Sequence, residues 1–382
     1  MRSLPTARSC PFAPPDGATD EPIGKVLTQA GDEVWHVAQY DLARQALGET
    51  RFSSEINGGF AGMPLVQSEP APGLFIQMDP PRHTRIRRQL TGSFTLQRMN
   101  RLRPRIEQII ADQLDHLEKQ PKPVDLVEHF ALAVPSLVIC ELLGVPYSDR
   151  EHFQRYSAKL INVDSTPAEL EQADAEIGAY LFGLLAAKRA ERGDGLLDDL
   201  LDTDLSDEEL AGVAVLLLVA GHETTANMLA LGTLLLLERP DQLALVRDDP
   251  EVVKTAVDEM LRYLSVVDTG LFRRASEEMT LGDVTIPEGD FIMPALAAAN
   301  RDPALCENPD TFDVTRTRTH HLAFGFGPHQ CLGQNLARLE MEIAYPALLN
   351  RLPGLRLAVP IEEVPKRDNM LVYGVHRLEV TW

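Results

Sequence analysis

A mainly α-helical chain with small β-sheets is the fold class this sequence predicts, and three observations carry it. Apolar residues recur at three- and four-residue spacing through most of residues 99–188 and again over 206–238. Alternating, β-like patterns are confined to short stretches near residues 34–37, 272–286 and 355–381. A loop rich in glycine and proline, His321 to Gly333, carries one cysteine and runs straight into a last helical pattern from Asn335 onward.

Composition narrows the function classes. With 382 residues, 44% hydrophobic and 24% charged, the chain has the make-up of a globular protein with a substantial core. A formal charge of −21 excludes nucleic acid and anionic membrane as general partners, because both require a basic surface. The start has no apolar core typical of a secretory signal, and the apolar run Leu210 to Gly221 falls short of the roughly 20 residues needed to span a bilayer. Cys10, Cys140, Cys306 and Cys331 are widely spaced, which fits neither a zinc ribbon nor a disulfide framework, so a reducing cytoplasm is the expected location.

Taken in order, residues 1–30 read as an irregular lead-in, rich in Pro, Gly, Ala and Asp. Val34 to Val37 predict a strand, Tyr40 to Leu47 a helix, and Glu55 to Gly73 a long loop of the kind that often serves as a lid. Asp79 before two prolines predicts a helix start, followed by Arg82, Arg85, Arg87 and Arg88, the densest basic run in the chain. The bland reading is a solvated helix face; the functional one is an anion site or a docking face for an acidic partner. Leu102, Ile106, Ile109, Ile110, Leu114 and Leu117 form one helical stripe, and Leu132 to Leu143 another, stopped by Gly144 and Pro146. Residues 149–163 and 168–190 continue the helical series.

Ser206-Asp207-Glu208-Glu209 is a capping-box signature opening a helix that runs to about Glu238, roughly 50 Å at 1.5 Å per residue. In its middle, Ala220-Gly221-His222-Glu223-Thr224-Thr225 interrupts an apolar pattern, and such violations mark functional sites. Val252 to Tyr263 predict a helix with Glu259 and Arg262 on one face. Residues 264–300 turn β-like, 300–316 are irregular, and 355–382 hold short strands. Cys331, at a glycine-rich turn before a helix, sits where unpaired N–H groups favour a thiolate, which makes it a candidate metal ligand or nucleophile.

Together these pieces resemble the cytochrome P450 family in its soluble bacterial form, of the kind that tailors natural products in actinobacteria. The loop matches the family's haem-binding pattern at Phe324, Gly327, Cys331 and Gly333. The polar hexapeptide matches its oxygen-activation motif at Ala220, Gly221, Glu223, Thr224 and Thr225, and Glu259 with Arg262 matches its Glu-x-x-Arg element. The similarity covers nearly the whole chain and implies one haem domain over residues 1–382.

The resemblance implies a cofactor, haem b, with Cys331 as the proximal thiolate ligand of its iron. His83, Arg87, Arg273 and His329 would hold the haem propionates, with Arg273 preferred to its neighbour Arg274; Gly325, Gly333 and Phe324 would shape the loop. Ala220 and Gly221 would face the haem, Gly221 also permitting a kink, while Glu223 and Thr224 would deliver the protons that oxygen activation needs. His222 is expected to be a satisfied helix histidine, and Cys10, Cys140 and Cys306 to be buried and inert. Glu259 and Arg262 would be structural, with Arg316 completing their network because Thr311 stands where the family often has arginine.

The implied activity is insertion of one atom of O2 into a bulky hydrophobic small molecule such as a polyketide, macrolide or terpenoid, by hydroxylation or epoxidation. Electrons would come from NAD(P)H through separate ferredoxin and ferredoxin reductase proteins, received at Arg82, Arg85 and Arg88, and the protein would act as a monomer. The substrate pocket would be lined by Phe75, Leu217, Val266, Val267, Thr269, Leu271 and Leu371, with the loop around Phe60 and the 155–190 helices nearby. The alternatives are a peroxide-driven or redox-partner-independent haem enzyme, a haem sensor or carrier, and a Cys–His hydrolase built on His329 and Cys331.

Overall fold

A 31-residue helix, Asp207–Leu237, is the axis around which the other elements pack in the computed structural model, which describes residues 2–3, 8–18, 21–28, 31–56, 70–267 and 271–382. The described helices in chain order are α1 Tyr40–Gly48, α2 Arg82–Thr91, α3 Leu96–Glu118, α4 Ala133–Leu143, α5 Arg150–Leu160, α6 Pro167–Ala190 and α7 Leu196–Leu200. They continue with α8, the axial helix, then α9 Pro240–Asp248, α10 Val253–Leu264, α11 Leu296–Ala299 and α12 Gln334–Arg351.

The start of α8 is set by the predicted capping box. The Ser206 hydroxyl accepts from the Glu209 N–H at 3.2 Å, and the Glu209 carboxylate accepts from the Ser206 N–H at 3.0 Å. Asp207, Glu208 and Glu209 also place negative charge where the helix dipole favours it. From Ala226 to Leu236 every residue is buried, because α8 is surrounded by α4, α6, α10 and α12. An 18-residue window of this helix is apolar enough to cross a membrane by length and composition, but 72% of it is buried within the fold. The packing is tight at Gly232, where an added Cβ would lie 2.0 Å from the Tyr345 hydroxyl, which donates to the Met228 carbonyl at 2.6 Å.

The strands are β1 Arg2–Ser3, β2 Ile23–Leu27, β3 Glu33–Val37, β4 Phe52–Ser53, β5 Val124–Asp125, β6 Arg273–Ala275, β7 Met279–Leu281, β8 Val284–Ile286, β9 Phe291–Pro294, β10 Arg356–Leu357 and β11 Glu379–Thr381. They form a six-stranded sheet in the order β1-β2-β3-β9-β6-β4, a three-stranded sheet β10-β11-β5 and the hairpin β7-β8. In β6 the side chains alternate, so Arg273 and Ala275 are buried while Arg274 is exposed.

Several boundaries differ from the sequence expectations. Residues 1–30 are not wholly irregular, since β2 pairs antiparallel with β3 across Ile23↔Val37 to Leu27↔Glu33; Gly24 and Lys25 hide its alternation. α2 begins at Arg82 rather than at Asp79, because the Asp79 carboxylate accepts from the Ser54 N–H at 2.8 Å and bonds the Ser53 hydroxyl instead of capping a helix. α4 is preceded by a wide turn over Val127–Ala131, and β9 and α11 occupy a stretch whose apolar run has no clear period. The loop around Phe60 lies outside the described residues.

One buried ionic network joins α10 to the segments before the cysteine loop. Arg262, fully buried, donates to both carboxylate oxygens of Glu259 at 2.7 and 2.8 Å and to the carbonyls of Asn300 and Pro309 at 2.9 and 2.8 Å. Arg316 completes the network as expected, donating to Glu259 at 3.1 Å and to the carbonyls of Glu307, Asn308 and Thr311. Removing the anion strands the buried Arg262 and the partly buried Arg316, so Glu259→Gln is expected to cost about 3–5 kcal/mol of unfolding free energy. Urea unfolding checks this; a loss below about 1 kcal/mol would show that Arg262 and Arg316 do not depend on Glu259.

Candidate functional site

The cysteine loop owes its shape to two left-handed glycines and a ladder of short bonds. Gly325 (φ 67°) and Gly327 (φ 76°) adopt a conformation that side chains disfavour, and a Cβ on Gly327 would lie 2.7 Å from the Leu47 carbonyl oxygen. The Cys331 N–H donates to the Phe324 carbonyl at 2.8 Å, and the Gly325 N–H to the Leu322 carbonyl at 2.7 Å. Asn300 fixes the loop's start by accepting from the Leu322 N–H at 2.6 Å. Arg338 of α12 lies over the Phe324 ring at 4.5 Å while donating to Asp258 at 2.9 Å, which holds the aromatic in place.

Cys331 opens onto a mostly apolar cavity enclosing about 1440 Å3 of empty space counted out to its mouth. Ala220, Gly221, Thr224, Thr225 and Met228 of α8 line the same cavity, and Arg87, Arg273 and His329 also contribute to the wall. Burial pushes the Cys331 thiol up, against the pull of the Gly333 and Gln334 N–H groups and of the Arg87 and Arg338 guanidiniums. Cys331 is nonetheless exposed, and a bound cation at sulfur would favour the thiolate.

Two guanidiniums and two imidazoles gather beside the cavity, Arg87, Arg273 and His329 in its lining and His83 next to His329 behind it. His83 is 2% exposed, and neither of its ring nitrogens has a hydrogen-bond partner. Its ring lies 4.1 Å from that of His329, whose Nε2 is 3.0 Å from the Ser54 hydroxyl. Burial, reinforced by Arg273, His83 and Arg87, lowers the His329 pKa to about 3, and burial alone brings Arg273 down to about 10 despite Asp79 nearby. Arg87 donates to the Gln330 carbonyl. Buried cations and an unbonded imidazole are the surroundings that an anionic group would satisfy. An apolar slot with a sulfur on its wall and cations at its edge fits a flat, dianionic iron porphyrin.

Comparison with known proteins agrees with this geometry. The sequence profile described as Cytochrome P450 matches residues 184–374. The chain is 43% identical to Cytochrome P450-SU2 of Streptomyces griseolus, covering 100% of this chain and 97% of that protein. It is also 43% identical to pentalenic acid synthase of Streptomyces avermitilis, again with 100% and 97% covered. The chain belongs to the cytochrome P450 family. Among solved structures, that of CYP105P1 in complex with filipin I superposes with a TM-score of 0.94 at 43% identity, covering 100% of this chain and 99% of that one. The protein is thus an oxidoreductase of the cytochrome P450 type with the mainly α fold of that family.

The structure gathers most of the predicted site residues of this P450 around one cavity. Cys331, Phe324, Gly325, Gly333, His329, Arg87, Arg273, Ala220, Gly221 and Thr224 line it, as do Phe75, Leu217, Val266, Val267 and Leu271. Leu371 does not, because its N–H is tied to the Ile161 carbonyl at 2.9 Å and its side chain packs against the main core. Thr269 lies outside the described residues. At Gly221 α8 continues unbroken, and the glycine makes room for Ile139 of α4, whose Cδ1 would be 2.8 Å from an added Cβ.

Three further expectations need revision. His222 is only half satisfied, since Nδ1 faces the Leu218 carbonyl while Nε2 is buried without a hydrogen bond. Cys140 is buried, with its thiol pushed up to about 12 by burial, but Cys10 is exposed and Cys306 is half-buried. Arg85 is occupied by ion pairs with Asp204 and Glu209, and Arg82 lies 3.6 Å from Glu55, so Arg88 is the freer member of the exposed run. Sequence reasoning missed Glu340, a fully buried carboxyl on the cavity wall that desolvation raises well above the usual carboxylate range. It also missed Arg367, which meets Glu223. Neither sits in a recognisable motif.

The loop geometry makes a direct prediction. Gly327→Ala places a side chain both at positive φ and against the Leu47 carbonyl, and is expected to destabilise by about 2 kcal/mol or more. Thermal unfolding would show it; an unchanged Tm would mean that the Tyr40–Gly48 helix yields without cost.

Proposed function

We propose that this protein is a haem-thiolate monooxygenase that hydroxylates or epoxidises a bulky hydrophobic small molecule of the secondary-metabolite kind. The observation that carries this reading is that Cys331, from the glycine-rich loop, and Thr224, from the middle of α8, line the same apolar cavity. Haem b, when bound, supplies the redox chemistry by which O2 is activated.

The chain's own residues would do the rest. Cys331 would ligate the iron, its charge supported by the Gly333 and Gln334 N–H groups. His83, Arg87, Arg273 and His329 would hold the propionates, and Phe324, fixed by Arg338, would keep water from the sulfur. The Thr224 hydroxyl, which donates to the Ala220 carbonyl at 2.9 Å and borders the cavity, would hold and pass a proton at Oγ1, with Glu223 as the acid behind it. Phe75, Leu217, Val266, Val267 and Leu271 would exclude water and orient the substrate by shape.

The names of similar proteins, pentalenic acid synthase and a structure holding filipin I, support a substrate of natural-product type. Two electrons from NAD(P)H would arrive through a ferredoxin reductase and a ferredoxin, for which exposed Arg88 offers positive charge against the chain's net −21.

Cys331→Ser is expected to abolish the thiolate-type spectrum of the carbon monoxide complex, and its retention would refute the ligand assignment. Thr224→Ala is expected to leave that spectrum intact while uncoupling most NAD(P)H consumption from product. Coupling equal to wild type would remove Thr224 from proton delivery. Turnover with peroxide but none with ferredoxin would favour the peroxide-driven alternative.

A further inference from the structure

Residues 8–18 contain no helix or strand, yet they are held firmly against the core. Phe12 is buried in the main apolar cluster, and its carbonyl accepts from the Arg301 guanidinium at 2.9 Å. Arg301, itself buried, also donates to the Tyr263 carbonyl at 2.9 Å and lies 3.5 Å over the Tyr263 ring, which anchors the segment to α10. A second buried guanidinium, that of Arg8, folds the segment back on itself by donating to the Ala13 carbonyl at 2.7 Å. Its central carbon then stands 3.8 Å from the centre of the Tyr373 ring.

Tyr373 belongs to a hairpin in which Lys366 bridges Val375 and the Arg367 N–H donates to the Gly374 carbonyl at 2.9 Å. Arg8 meets both arms of it, because its own carbonyl accepts from Lys366 Nζ at 3.2 Å. The Tyr373 ring is 6% exposed, and its hydroxyl makes no hydrogen bond. Burial raises the phenol above its usual range against the pull of Arg8, so a neutral aromatic meets the cation. With the hydroxyl unused, the guanidinium over its face is the polar contact that orients this ring. Such a contact is stronger out of water than at an exposed site.

The backbone at Tyr373 leads directly to the cavity. The Tyr373 N–H donates to the Val266 carbonyl at 2.8 Å, and Val372 forms an antiparallel bridge with Val267. Val266 and Val267 both line the cavity. The same hairpin tip is bonded to the α5–α6 connection: the Leu371 N–H donates to the Ile161 carbonyl at 2.9 Å, and the Asn369 carbonyl accepts from the Val163 N–H at 3.1 Å. A shift of the Tyr373 ring is therefore passed to the wall through two adjacent backbone pairings. Displacing a wall by about 1 Å is enough to spoil the placement of a bound molecule.

We infer that Arg8 is a specificity-positioning residue: by seating the Tyr373 ring it fixes where Val266 and Val267 stand, and so which guest shapes the cavity accepts. This rests on the monooxygenase reading above, which makes the cavity a substrate pocket beside haem. Arg8 is not among the described residues that line the cavity, so it acts through Tyr373 rather than by touching the guest. Without the cation the wall loses its fixed seat and must be ordered when a guest binds. That cost falls most heavily on bulky guests, which press on the wall over the largest area.

The test uses the full-length, haem-loaded protein and three probes that ligate haem iron through nitrogen: imidazole, 4-phenylimidazole and clotrimazole. Affinities are read from the shift of the Soret band. In Arg8→Ala, clotrimazole is expected to weaken about tenfold and 4-phenylimidazole about twofold, while imidazole, too small to press on the wall, stays unchanged. Arg8→Lys keeps a cation over the ring and should recover clotrimazole to within about threefold of wild type. Tyr373→Phe should bind all three probes as wild type does without lowering Tm, because the hydroxyl it removes is buried and unbonded. Tyr373→Leu should match Arg8→Ala, and the Arg8→Ala/Tyr373→Leu double variant should be no weaker than Tyr373→Leu alone.

Wild-type clotrimazole affinity in Arg8→Ala overturns the inference. So does an equal loss for all three probes, or a lowered Tm with the three affinities unmoved, since either marks a merely structural role. Should Arg8→Ala fail to fold, equal clotrimazole affinity in Tyr373→Leu and Tyr373→Phe overturns it just as well. A wild-type Soret band that does not move with imidazole overturns it too, and places the fault in the haem reading rather than in Arg8.

Discussion

The side chain on which the rest of this site depends is Arg262, a guanidinium with no exposed surface. A buried cation is tolerable only when its donors are used, and Arg262 spends them on Glu259 and on the carbonyls of Asn300 and Pro309. Asn300, held in this way, accepts from the Leu322 N–H, which opens the cysteine loop. The position of the sulfur is therefore set by charge satisfaction in a neighbouring helix. The loop's glycines allow its path, and the ionic network selects it.

The α8 wall is governed by packing instead. α8 is buried nearly all round over its second half, where Tyr345 closes on Gly232 and Gly374 closes on Asn227. Gly221 belongs to the same pattern, since its missing side chain lets Ile139 of α4 come close while leaving the cavity face open. The cavity thus lies between an ionically pinned loop and a sterically pinned helix. Sliding either would break buried bonds or create overlaps.

Much of this was legible in the sequence because it rests on local rules. The capping box at Ser206, the stop at Gly144 and the order of the polar motifs all depend on neighbouring residues, while the preference for Arg273 over Arg274 comes from the family resemblance and agrees with the burial of Arg273. The completion of the Glu259 network by Arg316 was also foreseeable, from the one motif position that lacked its usual arginine. What escaped depends on contacts between distant segments. Glu340 reads as an ordinary helix glutamate until α12 buries it, and Arg367 reads as a surface arginine until its segment docks on α8. Leu371, placed in the pocket by resemblance, failed for the same reason: its segment is set by contacts with distant residues, Met370 bridging Asn162 and Val372 bridging Val267.

The cavity's two kinds of wall have different tolerances for change. Cys331, Gly221 and Thr224 sit on elements locked by buried charge or close packing, whereas Phe75, Ile76, Val266, Val267 and Leu271 come from short connecting segments. Replacing one of those apolar side chains with another alters the shape offered to a guest molecule without disturbing a helix cap, a buried ion or a tight glycine contact. The architecture therefore separates inheritance into two compartments. One carries the chemistry and resists drift; the other can wander through many shapes while the protein still folds.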